Sequence, residues 1–274
     1  MVITGAYQPS YAKNLGVFAL HGPGVRAGLL ETSTTRRAGY VALQDIAPTI
    51  LDRVGVEPPT TMEGRPAEST RVGGEFAGRV QRLARENRAS MFRDANIGAA
   101  MVALAVVVVI VTLLGLGVLL VPALARFRRA FVFLCLSVLG LMAATFVVEP
   151  FPFFDWGAGP YWLAVVGIAL AFGAVTAAFR RAWWVVPVMV ATGALIALHT
   201  IDLLLGAHLQ FATVFGYSPT VGVRVAGIGN PASAQLSASA LILATLLVAR
   251  LGRRRGVTVA AGDRKSTRLN SSHT

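Results

Sequence analysis

Residues 97–121 read IGAAMVALAVVVVIVTLLGLGVLLV, with no charged residue and Thr112 as the only conventional polar side chain. A bilayer's hydrocarbon core is about 30 Å thick and takes about 20 apolar helical residues to cross. The stretch has that length and no polar stripe, whereas a soluble helix this long carries a solvated face. It reads as a transmembrane helix, and the chain beyond it repeats the same character.

Apolar segments at 97–124, 131–148, 161–179, 184–205 and, more weakly, 232–251 make five predicted spans. The connectors alternate in charge. Arg126, Arg128 and Arg129 fall in the first, only Glu149 and Asp155 in the second, and Arg180-Arg181 in the third. A long fourth loop has Arg224 as its sole full charge, and Arg250 and Arg253-Arg-Arg255 close the last span. The positive-inside rule puts the arginine clusters in the cytoplasm and residues 1–96 and the loops near 155 and 206–231 outside. The basic run Arg79–Arg93 opposes this, but longer domains translocate largely regardless of charge. Trp156 and Trp162 at one interface, and Trp183 and Trp184 at the other, fit aromatic belts.

Composition agrees. The 274 residues are 55% hydrophobic and 14% charged, with a mean hydropathy of +0.64, a membrane-like balance. The net charge of +12 is almost all arginine, since lysine occurs only at Lys13 and Lys265. Because these arginines punctuate apolar spans, the expected partner is the lipid bilayer and no nucleic acid. The single Cys135, inside an apolar run, excludes an internal disulfide and a cysteine-based zinc site.

Residues 1–20 contain no basic-then-apolar signal segment. Residues 15–20 read as a strand leading into Gly22-Pro-Gly24, where Pro and then Gly suit a type II turn. A second extended piece at 39–43 leads to Asp45, read as a helix N-cap. Ile46, Ile50, Leu51 and Val54 share one predicted face, Pro48 sits in the first turn and Gly55 stops the helix. Strand, turn, strand and helix make a piece of an α/β layer fold. Residues 57–74 read as a Pro/Gly/Thr-rich loop. Phe76, Val80, Leu83 and Ala84 then recur among Arg79, Arg82, Arg85 and Arg88. Two readings are open for 71–96: an amphipathic helix on lipid headgroups, or a solvated linker helix.

Gly22-Pro-Gly-Val25, Thr35-Arg36, Gln44-Asp-Ile-Ala-Pro-Thr-Ile-Leu51, Gly55-Val56 and Met62-Glu-Gly64 together resemble the C-terminal part of the alkaline phosphatase/sulfatase superfamily. The resemblance covers roughly residues 15–65 and implies a two-metal hydrolase or phosphotransferase with a Ser, Thr or Cys nucleophile. It also places that nucleophile and the Asp/His ligands mainly upstream of this helix. No catalytic residue, metal ligand or cofactor is therefore assigned within this chain. A divalent metal is an expectation for a longer protein only, as is a phosphorylated or lipid-linked envelope substrate.

The most informative membrane stretch is 199–230. His199 and Asp202 share a helix face near the outer end of the fourth span, where a carboxylate should avoid lipid. With His208, Arg224 and Asn230 they form a candidate ion or substrate site; the alternative is an interfacial pair that orients the helix. Gly216-Tyr-Ser-Pro219, Gly222, Arg224, Gly227, Gly229 and Asn230 are similar to a segment of multi-pass bacterial membrane proteins, some with a phosphatase-like ectodomain. These glycines form either an anion nest charged by Arg224 or a loop that needs close backbone contact.

Residues 263–274 read as the in-frame translation of a sequencing-library adapter and are set aside from fold reasoning. An outward N-terminal region also needs an upstream signal or span, so Met1 is expected to be internal to a longer chain. The expected organisation is mainly α: a small α/β fragment at 1–70, a linker helix at 71–96, a multi-span transmembrane bundle at 97–255 and a tail at 256–274. Two functions are carried forward. One is a bacterial cytoplasmic-membrane protein bearing part of a phosphatase-like extracytoplasmic domain. The other is a transporter-like or scaffold protein using the His199/Asp202/Arg224 cluster.

Overall fold

Proline and glycine punctuate the chain where the backbone requires it. Pro122 has no N–H and pushes Val121 to an extended conformation (φ −107°, ψ 108°), which ends the first span. In the computed structural model, which describes residues 2–4, 15–181, 185–220 and 227–270, the chain is mainly α. A small α/β region, 15–70 together with the strand at 2–4, precedes a multi-span transmembrane helix bundle.

Strands β1 (Val2–Thr4) and β2 (Phe18–Leu20) pair antiparallel, with Val2 opposite Leu20. Strands β3 (Leu29–Glu31) and β4 (Glu68–Thr70) form a second antiparallel pair, with Leu29 opposite Thr70. Between them lies α1 (Leu43–Arg53). The Gly22-Pro-Gly turn closes with the Val25 N–H on the Gly22 carbonyl at 3.2 Å, Gly24 taking φ +77°. Gly55 (φ +78°) ends α1 in a Schellman arrangement: its N–H reaches Asp52 O, and the Val56 N–H reaches Leu51 O.

Four sequence expectations change here. The extended piece at 39–43 is coil running into α1, and the second strand pair lies instead at 29–31 and 68–70, the latter inside the expected loop. Asp45 is the third residue of α1 rather than its N-cap, which is Ala42. Pro48 lies in the second turn. It leaves the Gln44 carbonyl without its helical donor, and the backbone at Gly64 packs against that carbonyl so closely that a Cβ there would overlap it. The inward face of α1 is Asp45, Pro48 and Thr49, while Ile50 and Val54 are exposed. Residues 76–96 are helical. They continue into the first span as α2 (Phe76–Leu120), a rod of about 67 Å at 1.5 Å per residue.

The other spans are α3 (Arg128–Val147, preceded by a 3₁₀ segment at Pro122–Phe127), α5 (Ala158–Ala178), α6 (Val186–Leu204) and the Asn230–Leu251 part of α7 (Asn230–Asn270). A short α4 (Phe153–Trp156) joins α3 to α5. Helices α3 and α5 form the most extensively packed pair, with α6 and α7 next. The principal core sits at one end of the bundle. Phe146 and Val148 from the end of α3 meet Tyr161 and Val165 of α5, with Val214 and Phe215 of the loop after α6. At that end the α/β region, the 149–157 connection and the 205–220 loop all meet. Further along, α2 keeps contact with α3 where Gly115 meets the Phe131 ring, while Val102, Ile110 and Leu113 are exposed as a lipid-facing surface requires.

Candidate functional site

Helix α6 brings His199 and Asp202 to its inner face, buried to 1% and 5% exposure, as the cost of burying such groups against lipid requires. Gln235 of α7 donates from Nε2 to the Leu139 carbonyl at 3.0 Å, so its Oε1 faces His199 Nε2 at 2.9 Å. An acceptor there assigns the proton to Nε2. His199 Nδ1 is then a buried acceptor without a hydrogen-bond partner among the described residues, beside the Phe146 ring, edge-on at 5.0 Å.

Asp202 works locally. Its Oδ1 accepts the Leu209 N–H at 2.9 Å, its Oδ2 the Gln210 Nε2 at 3.0 Å, and its carbonyl the Ala207 N–H at 2.7 Å. A carboxylate at a helix C-terminus opposes the dipole, so these donors hold it there. Gln210 extends the knot: its carbonyl accepts the Tyr217 N–H at 2.7 Å, and its Oε1 accepts the Gly229 N–H at 3.3 Å. Gly216 is packed so tightly on Gln210 that a Cβ would overlap its carbonyl, and a Cβ at Gly229 would lie 3.4 Å from Gly216. Asp202→Ala should therefore cost about 3 kcal/mol by orphaning two donors, and loosen 205–220. Amide exchange of Leu209 and Tyr217 checks this; unchanged exchange would remove Asp202 from that role.

The remaining predicted residues lie elsewhere. His208 is exposed on a short 3₁₀ turn, Asn230 is exposed as the first residue of α7, and Arg224 and Gly222 lie outside the described residues. The N–H groups of Gly216 and Gly229 are taken by Thr213 O and Gln210 Oε1, which favours close packing for these two glycines. The polar partners missed in the sequence are Gln210 and Gln235, the only glutamines after residue 96; an amide inside or beside an apolar span was the available signal.

A second knot ties α2 to the same loop. Arg93 donates to Asp94 Oδ1 at 2.7 Å and to the Gly216 carbonyl at 3.1 Å, and Ser218 and Thr220 donate to the Asp94 carboxylate. Asn96 Oδ1 accepts from Trp162 Nε1 at 3.2 Å, and Arg88 pairs with Asp155 at 3.3 Å.

A third group seats the α/β region on the bundle. Arg37 lies 3.9 Å over the Phe211 ring, Tyr40 packs edge-on to the same ring at 4.9 Å, and the Tyr40 hydroxyl donates to Glu86 at 2.7 Å. Burial, together with the charge of Glu86, pushes the Tyr40 phenol up, so it remains a donor at physiological pH. Beside this seat Glu149 is raised to about 7, mainly by burial, with Asp202 and Glu86 adding to the effect and Arg37 and Arg85 opposing it. A folded-state value above the ordinary one near 4.5 means that this group's contribution is full below pH 4.5 and is lost as pH rises through 7. In lipid-free detergent, Glu149→Gln should match the parent near pH 4 and exceed it by about 2 kcal/mol at pH 8. A thermal melt series reads this; equal gains at both pH values would contradict it.

Within the 44–51 motif, Asp45 is structural. The Asp45 carboxylate is fully buried and accepts from Thr32 Oγ1 (2.7 Å), Thr34 Oγ1 (2.8 Å), Ala42 N–H (3.1 Å) and Arg65 N–H (2.9 Å). Thr49 Oγ1 donates to Asp45 O at 2.5 Å and accepts the Ala67 N–H at 2.9 Å. Those contacts leave Asp45 no open face for a metal, and no group of three or more His, Cys, Asp or Glu residues among the described ones is placed to hold one. No known protein family, curated protein or solved structure matches the chain.

Proposed function

We propose that this protein is a bacterial cytoplasmic-membrane protein that holds one edge of a phosphatase/sulfatase-like α/β domain against the outer end of its helix bundle. The observation that carries this reading is the inverted burial of α1. Its polar side, Asp45 and Thr49, is stitched inward, while Leu43, Ile50, Val54 and Val56 stand 39–75% exposed. That apolar surface suits coverage by further α/β structure of such a domain. The seat formed by Arg37, Tyr40 and Phe211 supports a fixed domain rather than a tethered one. Arginine clusters at 126–129, at 180–181 and after 250, all at the bundle end away from that seat, support an extracytoplasmic orientation for residues 1–96. The substrate class on this reading is a phosphorylated or lipid-linked envelope compound.

Orientation is tested with an impermeant maleimide in a Cys135→Ser background. Glu63→Cys should label in intact cells, and Arg128→Cys only after permeabilisation. The reverse pattern would overturn the extracytoplasmic reading.

A second reading, a transporter-like or scaffold bundle, is favoured by one observation: the buried, unpartnered His199 Nδ1. It requires that His199→Gln abolish a transport activity while leaving the thermal midpoint unchanged.

A further inference from the structure

Where α2, the end of α3, α4, α5 and the loop after α6 converge, they leave a narrow cleft, open on one side. Its wall is aromatic: Phe92, Phe151, Phe153, Phe154 and Tyr161, with Glu149 among the lining residues. The rings are mutually braced, Phe153 edge-on to Trp156 at 5.0 Å and Phe92 edge-on to Tyr161 at 5.1 Å. Edge-on packing fixes ring orientation, so the wall does not need to reorganise on binding.

Glu149 is the unspent charge of this region. Asp202 is hydrogen-bonded to its loop, Glu86 to Tyr40 and Arg82, and Asp155 to Arg88. No hydrogen bond or ion pair to the Glu149 carboxylate forms among the described residues. The nearby cations lie over rings, Arg37 on Phe211 at 3.9 Å and Arg85 on Phe154 at 5.8 Å. A partly buried acid in an aromatic-lined cleft is a receptor for a cation, which regains in the cleft what the acid lost on burial.

We propose that this cleft binds the ammonium group of an aminophospholipid headgroup, with Glu149 as the counter-ion and the aromatic rings as its walls. Two observations select a lipid source. The cleft lies just beyond the last residue of α3, at the level where spans leave the hydrocarbon, and Trp156 (57% exposed) and Trp162 flank it as interfacial anchors. Its narrowness suits a primary ammonium with three N–H donors better than a trimethylammonium. The site does not depend on the phosphatase-like reading of the α/β region, which can fail without affecting it.

Glu149 titrates in the presence of Arg37, Arg85, Glu86 and Asp202, and binding requires its charged form, so affinity should fall with acidification through about pH 7. The test uses the full chain in nanodiscs of phosphatidylcholine containing spin-labelled phosphatidylethanolamine or spin-labelled phosphatidylcholine. At pH 8 the ethanolamine lipid should associate about five-fold more strongly than the choline lipid. The preference should vanish in Glu149→Gln and in the unmodified protein at pH 5.5, the latter needing no variant to fold. Phe154→Ala should weaken it. Equal association of the two lipids at pH 8, or a preference that survives both Glu149→Gln and pH 5.5, overturns the proposal. Dissolved ethanolamine distinguishes the source: saturable binding of the free amine without any lipid preference would overturn the assignment to a lipid headgroup.

Discussion

Replacing Asp45 with alanine is expected to unfold the α/β region while leaving the helix bundle intact. The substitution removes an acceptor used by two backbone N–H groups and two threonine hydroxyls at a position with no solvent access. Each orphaned buried donor costs about 1–3 kcal/mol. Thr32 retains a hydroxyl contact with Thr35 at 3.2 Å, so not every donor is lost in full, and about 4 kcal/mol is a reasonable sum. That is a large share of what so small a unit can hold. Asp45→Asn keeps one acceptor oxygen and turns a donor toward donors, so about half the loss is expected. Limited proteolysis is the readout: cleavage within 15–70 should accelerate while fragments containing the spans persist. Protection equal to the parent would mean that the Asp45 knot does not hold the region.

Gly173→Val is expected to disrupt the bundle itself. Helices α3 and α5 approach through reciprocal notches, Gly140 receiving the Phe172 ring and Gly173 receiving Ser137. A Cβ at Gly173 would lie 2.9 Å from the Ser137 backbone nitrogen and 3.1 Å from the Phe133 carbonyl, so helix backbones rather than a movable side chain would have to shift. In a membrane, where close packing replaces the hydrophobic drive, this seam is a main source of helix association. The expected loss is about 3 kcal/mol or more, with poor recovery of folded protein from the membrane. Gly167 lies on the same helix with nothing within 4 Å of an added Cβ, so Gly167→Val is the control and should be near neutral. Equal behaviour of the two variants would rule out the seam.

The spans are readable from sequence because length and uniform apolarity are local properties; all five appear, the last three with ends shifted by a few residues and the first two within helices that begin well before the apolar stretch. The Gly22-Pro-Gly turn and the Gly55 stop are likewise local, set by positive φ. Burial of α1 is misread because Ile46, Ile50, Leu51 and Val54 obey helical periodicity, yet the inward side is decided by tertiary hydrogen bonds of Asp45 and Thr49. The partners of the membrane site are hidden for a similar reason. Gln210 and Asp202 are eight residues apart, and Gln235 and His199 thirty-six. Asp94 meets Ser218 across more than a hundred residues, and no local pattern links an arginine-rich helix to a glycine-rich loop so distant.

The α/β region is seated on the end of the bundle through Arg37 and Tyr40. Tyr40 and Phe211, with ring centroids 4.9 Å apart, report that seat. In a Cys135→Ser background, Tyr40→Cys and Phe211→Cys should be joined by a short bifunctional thiol reagent in the native membrane. Cleavage engineered into 57–66 would then leave the two halves linked. Clean separation of the halves after reagent treatment, with both cysteines shown to be reactive, would contradict a docked domain and leave only a tethered one.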